Sequence, residues 1–258
     1  MGNNIIKFCL ISTQRSGSTW LIDILDNHPM IKAYEEIFII NPNRIKPSNR
    51  KLLPPVRYYR YKKCFWSRPL KTFSYLNFIQ NTESQNQFVG FKLMYNQLKA
   101  YPEILIQLVL QQYKIIHLVR SNSIDVVISS EFMKKTKIAH KKKTTINFPE
   151  NRVIYIDPKK LLYKLRRHKI NLRRMQYILR CLPLDTLNVF YDELQEDKDI
   201  CFKDILKFLG IDKKSSSQLH SNFSKVNPGY HWQKIKNYNE IRSCLKGTEF
   251  YKLLHLKN

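Results

Sequence analysis

A chain of 258 residues with 43% apolar and 12% aromatic residues fits one large α/β domain, or at most two small ones, and its six glycines and lack of low-complexity tracts exclude a disordered or repeat protein. Lys and Arg number 45 against 20 acidic residues, a formal charge of +25 that would attract nucleic acid, anionic lipid, acidic glycan or an anionic cofactor. Five scattered cysteines without a C-x-x-C pair fit free thiols in a reducing compartment and argue against metal binding by them. The N-terminal apolar run is too short to span a bilayer, so the expected location is cytoplasmic, or peripheral at a membrane.

Residues 5–11 read as a buried strand, and a polar loop then leads into a helix over 18–27, ended by Pro29. In that helix Trp20, Leu21, Ile24 and Leu25 lie inward, with Asp23, Asp26 and Asn27 on the other side. Met30–Phe38 is β-prone around adjacent Glu35 and Glu36, which an extended chain points to opposite sides. From Ile37 to Thr82 there is no acidic residue, and basic, aromatic and proline residues interleave. Residues 44–82 thus read as an irregular insertion or lid, either a solvated loop or a surface for an acidic acceptor. Phe88–Met94 is a strand, Leu98–Leu110 a helix and Lys114–Val119 a buried strand. Ser121–Ser123 cap a helix over Ile124–Met133, and an exposed lysine-rich loop follows over Lys134–Lys143. Val153–Ile156 is a short strand, Asp157-Pro158 starts a helix to Cys181, Leu187–Tyr191 is a strand, and Ile200–Leu209 is a helix stopped by Gly210. Strands alternating with helices imply an α/β fold, a mainly parallel sheet flanked by helices, here taken as a single domain over 1–258.

The loop between the first strand and helix reads as a site for an anion, or as a Ser/Thr/Gly loop that only caps the helix. Gly17 lets the backbone approach an anion, and the N–H groups of the new helix point at it. Ser16, Ser18 and Thr19 add hydroxyls, and Arg15 a fixed cation with forked donors. A nucleotide-hydrolysing P-loop has a second glycine and a lysine before the hydroxyl residue, and neither is present.

Thr13–Trp20 resembles the 5′-phosphosulfate loop of sulfotransferases that use 3′-phosphoadenosine 5′-phosphosulfate (PAPS). Leu118–Ser129 resembles their 3′-phosphate segment, and Val189–Leu194 with Ile205–Gly210 is similar to their downstream Y-E-D-L and L-x-F-L-G blocks. His28-Pro29 through Glu36-Ile37-Phe38 resembles the H-P-x-x-x-x-x-G-E-x-F stretch of the bacterial-type carbohydrate branch, with Glu35 in the place of the glycine. This resemblance implies a P-loop-kinase-like sulfotransferase fold and a sulfuryl donor, PAPS, that leaves as 3′,5′-ADP without a metal. It implies Arg15, Ser16, Gly17, Ser18 and Thr19 at the 5′-phosphate, with Arg15 also stabilising leaving-group charge, and Arg120 and Ser129 at the 3′-phosphate. Tyr191 would contact adenine, or is an ordinary strand tyrosine. Trp20 would stack on adenine, or is a core residue. Glu36 is the implied general base, with Glu35 as the alternative, and His28 a helix-end histidine. The acceptor implied is a hydroxyl of a carbohydrate or glycolipid. An anionic membrane surface is a further partner for the basic segments, and nucleic acid is not the expected one. Two rival readings are a P-loop kinase-like phosphotransferase and a basic nucleic-acid-binding protein on this fold.

Overall fold

The computed structural model describes residues 5–39, 58, 68–83, 86–136, 141–142, 153–211, 223–224 and 231–255. It forms two compact units, Met1–Val119 with Tyr177–Ser221, and Arg120–Gln176 with Asn222–Asn258.

The first unit is built on apolar runs that pair side by side. Strands β1 (Ile6–Ser12), β2 (Ile31–Glu36), β3 (Phe88–Met94), β4 (Lys114–Val119) and β6 (Thr186–Phe190) form one sheet in the order β2-β3-β1-β4-β6. Every pair is parallel. Parallel strands covered on both faces read as continuous apolar runs, as β1, β3 and β4 do. On one face, Phe8, Leu10, Ile31, Ala33, Ile116, Leu118 and Val189 pack against α1 (Ser18–Asp26) and α8 (Lys198–Leu209). Helix α1 is enclosed so fully that Asp23, expected on its solvent side, is 2% exposed. The second face carries an aromatic cluster in which Phe38 meets Tyr58, Tyr75 and Phe91 at centroid distances of 4.8, 5.8 and 5.7 Å.

Three expectations change. Residues Arg68–Thr82 are a helix, α2, so that part of the basic aromatic segment is not irregular. Its Thr72, Tyr75, Leu76 and Ile79 are buried, spaced as one helical face. Tyr58, from the same segment, is fully buried and shares a 2.9 Å hydrogen bond with Thr72, so it offers no ring to an acceptor. Residues 44–57 and 59–67 lie outside the described residues. Second, the helix expected over Leu98–Leu110 is two, α3 (Tyr95–Ala100) and α4 (Glu103–Leu110). Pro102 keeps the preceding Tyr101 out of the helical region. Third, Tyr191 does not end β6 but opens a short helix, α7 (Tyr191–Glu196).

In the second unit, α5 (Ser123–Thr136) and α6 (Pro158–Cys181) bury Ile124, Ile128, Phe132, Leu161 and Leu165 against α9 (Tyr238–Leu245) and the turn Tyr251–His255. Helix α5 runs through Lys134 and Lys135, and Lys141–Lys142 pair as β5 with Phe223–Ser224, β7, so at these positions the lysine-rich stretch is not loop. The strand expected at Val153–Ile156 reduces to one bridge, Ile154 with Ile235. The amide of Asn237 takes over the next pairing, accepting from the Ile156 N–H at 3.1 Å and donating to its carbonyl at 2.9 Å.

Gly90 shows how tightly β1 and β3 are fitted. A Cβ there would lie 2.4 Å from the Phe8 ring. Gly90→Ala is expected to lower unfolding stability by about 1–3 kcal/mol through overpacking. Phe8→Leu in the Gly90→Ala background should recover part of that loss in denaturant titrations, whereas simple additivity of the two changes would contradict the contact.

Candidate active site

Strands β1 and β4 are neighbours, yet the chain leaves β1 toward β2 on one side and β4 toward β6 on the other. In open α/β sheets ligands bind beyond the carboxyl ends of strands at such a reversal. The loop after β1 lies at this position, and two of its residues have left-handed backbones, Arg15 at φ 66° and Gly17 at φ 86°. Gly17 is the N-cap of α1 and supplies no side-chain cap, and the first turn has no acidic residue. The first N–H groups of α1 therefore face out of the loop uncapped by a side chain, an arrangement suited to an anion. The hydroxyl of Ser16 donates to the Thr13 carbonyl at 2.7 Å, so this side chain shapes the loop.

Tyr191 closes one side of the loop. A Cβ on Gly17 would lie 2.3 Å from its ring, so loop and ring touch only because residue 17 has no side chain. Trp20 packs edge-on against Phe202 of α8, and Lys198 lies over its ring at 5.6 Å.

The centre of the site is a residue the sequence reading did not place there, Lys92. It is the single charged residue in an otherwise apolar strand, which was the available signal. Its side chain is 3% exposed. Its Nζ donates to Thr19 Oγ1 at 2.8 Å and lies 3.6 Å from Glu36 Oε1. Glu36 Oε2 accepts from Gln97 Nε2 at 2.8 Å, while Gln97 Oε1 accepts from the Met94 N–H at 3.0 Å. A bulge in β2 sets this register: Tyr34 pairs with Phe91 but Glu36 with Lys92, leaving Glu35 as the extra residue. One carboxylate is thus fixed by two β3–α3 side chains, with a third of its own surface open. His28 is buried beyond the end of α1 and accepts from the Met30 N–H at 3.3 Å.

On the other side of β4, His117 is fully buried. Its Nδ1 lies 2.9 Å from Asn188 Oδ1 and its Nε2 2.6 Å from the Tyr95 hydroxyl. With Nδ1 donating to the amide oxygen, Nε2 accepts from the phenol. Burial raises the pKa of Tyr95 and keeps it a donor. Burial lowers that of His117, against a smaller opposing effect of Asn188.

Arg120 and Ser129 belong to the second unit, each 8% exposed. Asn122 caps α5, its side-chain oxygen accepting from the Ile124 and Asp125 N–H groups at 3.1 and 3.4 Å. The cap turns Asp125 back toward Arg120, and Arg120 Nη2 donates to Asp125 Oδ2 at 2.7 Å. Asp125 was not foreseen, because a first-turn acid reads as dipole complement alone. Among the described residues no group of three His, Cys, Asp or Glu is placed to hold a metal ion.

The His117 chain gives a pH prediction. Its folded pKa is below the ordinary value, so the unfolded state binds the extra proton first as pH falls. The stability from neutral His117 is present above about pH 6.5, the ordinary histidine value, and is lost as pH falls toward the folded pKa. His168, half-buried on α6, acts with the same sign, partial desolvation lowering its pKa. In urea titrations across this range, His117→Gln should flatten the pH slope and His168→Gln should remove a separate share. An unchanged slope in His117→Gln would contradict the burial argument.

A sequence model of the sulfotransferase family matches residues 8–215. No curated protein matches the chain. Among solved structures it is similar to a sulfotransferase from Alicyclobacillus acidocaldarius, with a TM-score of 0.50 at 15% identity over 83% of this chain and 86% of that one. It is also similar to the sulfotransferase domain of the Synechococcus PCC 7002 olefin synthase, with a TM-score of 0.47 at 17% identity over 81% and 75% of the two chains. A third likeness is to mouse sulfotransferase SULT7A1 complexed with PAP, with a TM-score of 0.39 at 20% identity over 80% and 60%. The first likeness speaks to the fold, while the family match takes in β1 with its loop, Lys92, Arg120 and Tyr191, well over half of the sequence. The chain belongs to the sulfotransferase family.

Proposed function

We propose that this sulfotransferase moves a sulfuryl group from PAPS to a hydroxyl of a carbohydrate or glycolipid. The observation that carries the reading is the buried Lys92 amino group joining Thr19, in the first turn of α1, to Glu36 at the end of β2. The residues present fit an adenosine phosphosulfate: a loop with left-handed Arg15 and Gly17, a helix start without a side-chain cap, and an aromatic ring against Gly17. PAPS supplies an activated sulfur whose bond to the bridging phosphate oxygen breaks as the acceptor oxygen bonds to it.

The chain's own residues then have separable tasks. The N–H groups from Gly17 to Thr19, with the Ser18 and Thr19 hydroxyls, hold the 5′-phosphate, and Ser16 keeps the loop in shape. Arg15 and Lys92 meet the charge that builds on the bridging oxygen. Glu36, oriented by Gln97, accepts the proton of the acceptor hydroxyl. Arg120, steered by Asp125, and Ser129 are assigned to the 3′-phosphate. Tyr191 is assigned to adenine, and so is Trp20, whose ring also meets Phe202 of α8 edge-on. The carbohydrate or glycolipid acceptor is supported by the His28–Phe38 resemblance, with Glu36 in the place of the branch's glutamate.

A thermal-shift comparison tests the donor. 3′,5′-ADP at about a hundred times its Kd adds roughly 2.7 kcal/mol of stability, a rise of a few degrees. ATP with magnesium should give a smaller shift, and a larger one would favour a kinase-like phosphotransferase. Arg15→Ala and Arg120→Ala should each reduce the 3′,5′-ADP shift. Glu36→Gln should keep it while turnover with a saccharide acceptor falls by about a hundredfold or more. Glu35→Gln should leave turnover near the parent's, and the reverse ranking of the two glutamates would reassign the base.

A further inference from the structure

The longest of the described helices carries a feature that the transfer chemistry does not use. Helix α6 contains nine Lys/Arg and no Asp or Glu. Its inner side is spent on the second unit's core through Leu161 and Leu165. Along its outer side Tyr163 is 63% exposed and Ile170 49%, seven residues apart, and Tyr177 follows seven further on at 68%. Seven residues are nearly two full turns, so these side chains fall within about 20° of one line along the helix. The exposed pairs Arg166/Arg167 and Arg173/Arg174 repeat with the same period and place one arginine on each side of that line. None of the four forms an ion pair among the described residues, whereas inward-leaning Lys164 and Lys169 pair with Glu131 and Glu249.

We propose that this face of α6, from Lys159 to Arg174, docks on an anionic lipid surface, with the guanidinium groups at headgroup phosphates and Tyr163 and Ile170 dipping into the headgroup–acyl boundary. Charge repetition alone would serve any polyanion. The exposed isoleucine and tyrosines decide between occupants, because apolar area gains by leaving water for the acyl boundary and gains little against a phosphodiester backbone. A straight row also suits a flat surface, whereas a duplex presents curved phosphate rows. A second copy of the same helix would set arginine against arginine. No helix among the described residues is long and apolar enough to cross a membrane, so the contact is one of surface docking. This inference does not rest on the reading of the transfer site.

The test is co-sedimentation of the full chain with phosphatidylcholine vesicles, with and without about 30% phosphatidylserine. The parent should bind the anionic vesicles at least tenfold better than the neutral ones, and less as salt rises. Arg166→Gln/Arg167→Gln/Arg173→Gln/Arg174→Gln should lose that preference. Tyr163→Ser/Ile170→Ser should bind anionic vesicles several-fold more weakly while its affinity for a DNA duplex stays at the parent's value. Thermal midpoints near the parent's confirm folded variants, and single Arg→Gln changes replace the quadruple if it unfolds. Equal binding of parent and Arg→Gln variants would overturn the proposal. So would parent-like vesicle binding by Tyr163→Ser/Ile170→Ser, which would leave a surface for polyanions such as nucleic acid.

Discussion

A lysine buried in the middle of a parallel sheet is the constraint on which the site depends. Lys92 leaves strand β3 on the α1 face, where its neighbours along the strand are apolar. Taking an ionised amino group out of water costs several kcal/mol, and one charge-assisted hydrogen bond returns roughly 1.5–3 kcal/mol. Thr19 supplies one such bond, and the β2 bulge adds a carboxylate by bringing Glu36 opposite Lys92. The same demand fixes three elements at once: the first turn of α1, the end of β2 and, through Gln97, the start of α3. A site assembled in this way is held in place before any ligand arrives, which is what electrostatic stabilisation of a developing charge needs.

The packing around it is organised to keep that arrangement rigid. Helix α1 is buried on nearly all sides, so the loop that precedes it has little freedom to shift. On the opposite face the cluster of Phe38, Tyr58, Tyr75 and Phe91 ties the end of β2 to α2 and β3. Phe38 stands two residues after Glu36, so the carboxylate is anchored from both directions. Arg68 reinforces this side with a bidentate contact to Glu103 and a position 5.0 Å over the Tyr101 ring. The basic aromatic segment thus contributes structure at the residues described, through Tyr58 and Arg68.

Much of this was legible in the sequence where one physical signal dominated. Apolar runs located β1, β3 and β4, and Asp157-Pro158 and Gly210 marked the start of α6 and the end of α8. The place of the loop at Arg15–Thr19 was legible because a polar stretch with one glycine separates an apolar run from a helical pattern. What escaped depended on tertiary partners. The buried positions of α2 include a threonine and a tyrosine among basic and polar neighbours, so its helical face gave a weak apolar signal. Asp23 reads as solvent-facing until the helix is seen enclosed. Asp125 reads as a dipole complement until Arg120 is seen against it, and Gln97 has no signature at all before Glu36 is placed beside it. Lys92 was visible as an oddity in an apolar strand, but its partners lie 73 and 56 residues away in sequence, beyond any local pattern.

The most direct measurement of the central claim is calorimetric titration of Lys92→Met with 3′,5′-ADP beside the parent chain. Methionine fills a similar volume, and Glu36, a third of whose side chain is open to water, can be solvated when its partner is removed, so the unfolding midpoint serves as the control. Loss of a cation beside the phosphate loop predicts binding at least tenfold weaker in a chain that still unfolds cooperatively. Parent-like affinity in a folded Lys92→Met chain would contradict the assignment of Lys92 to the donor's phosphate and reduce it to a structural link between α1 and β2.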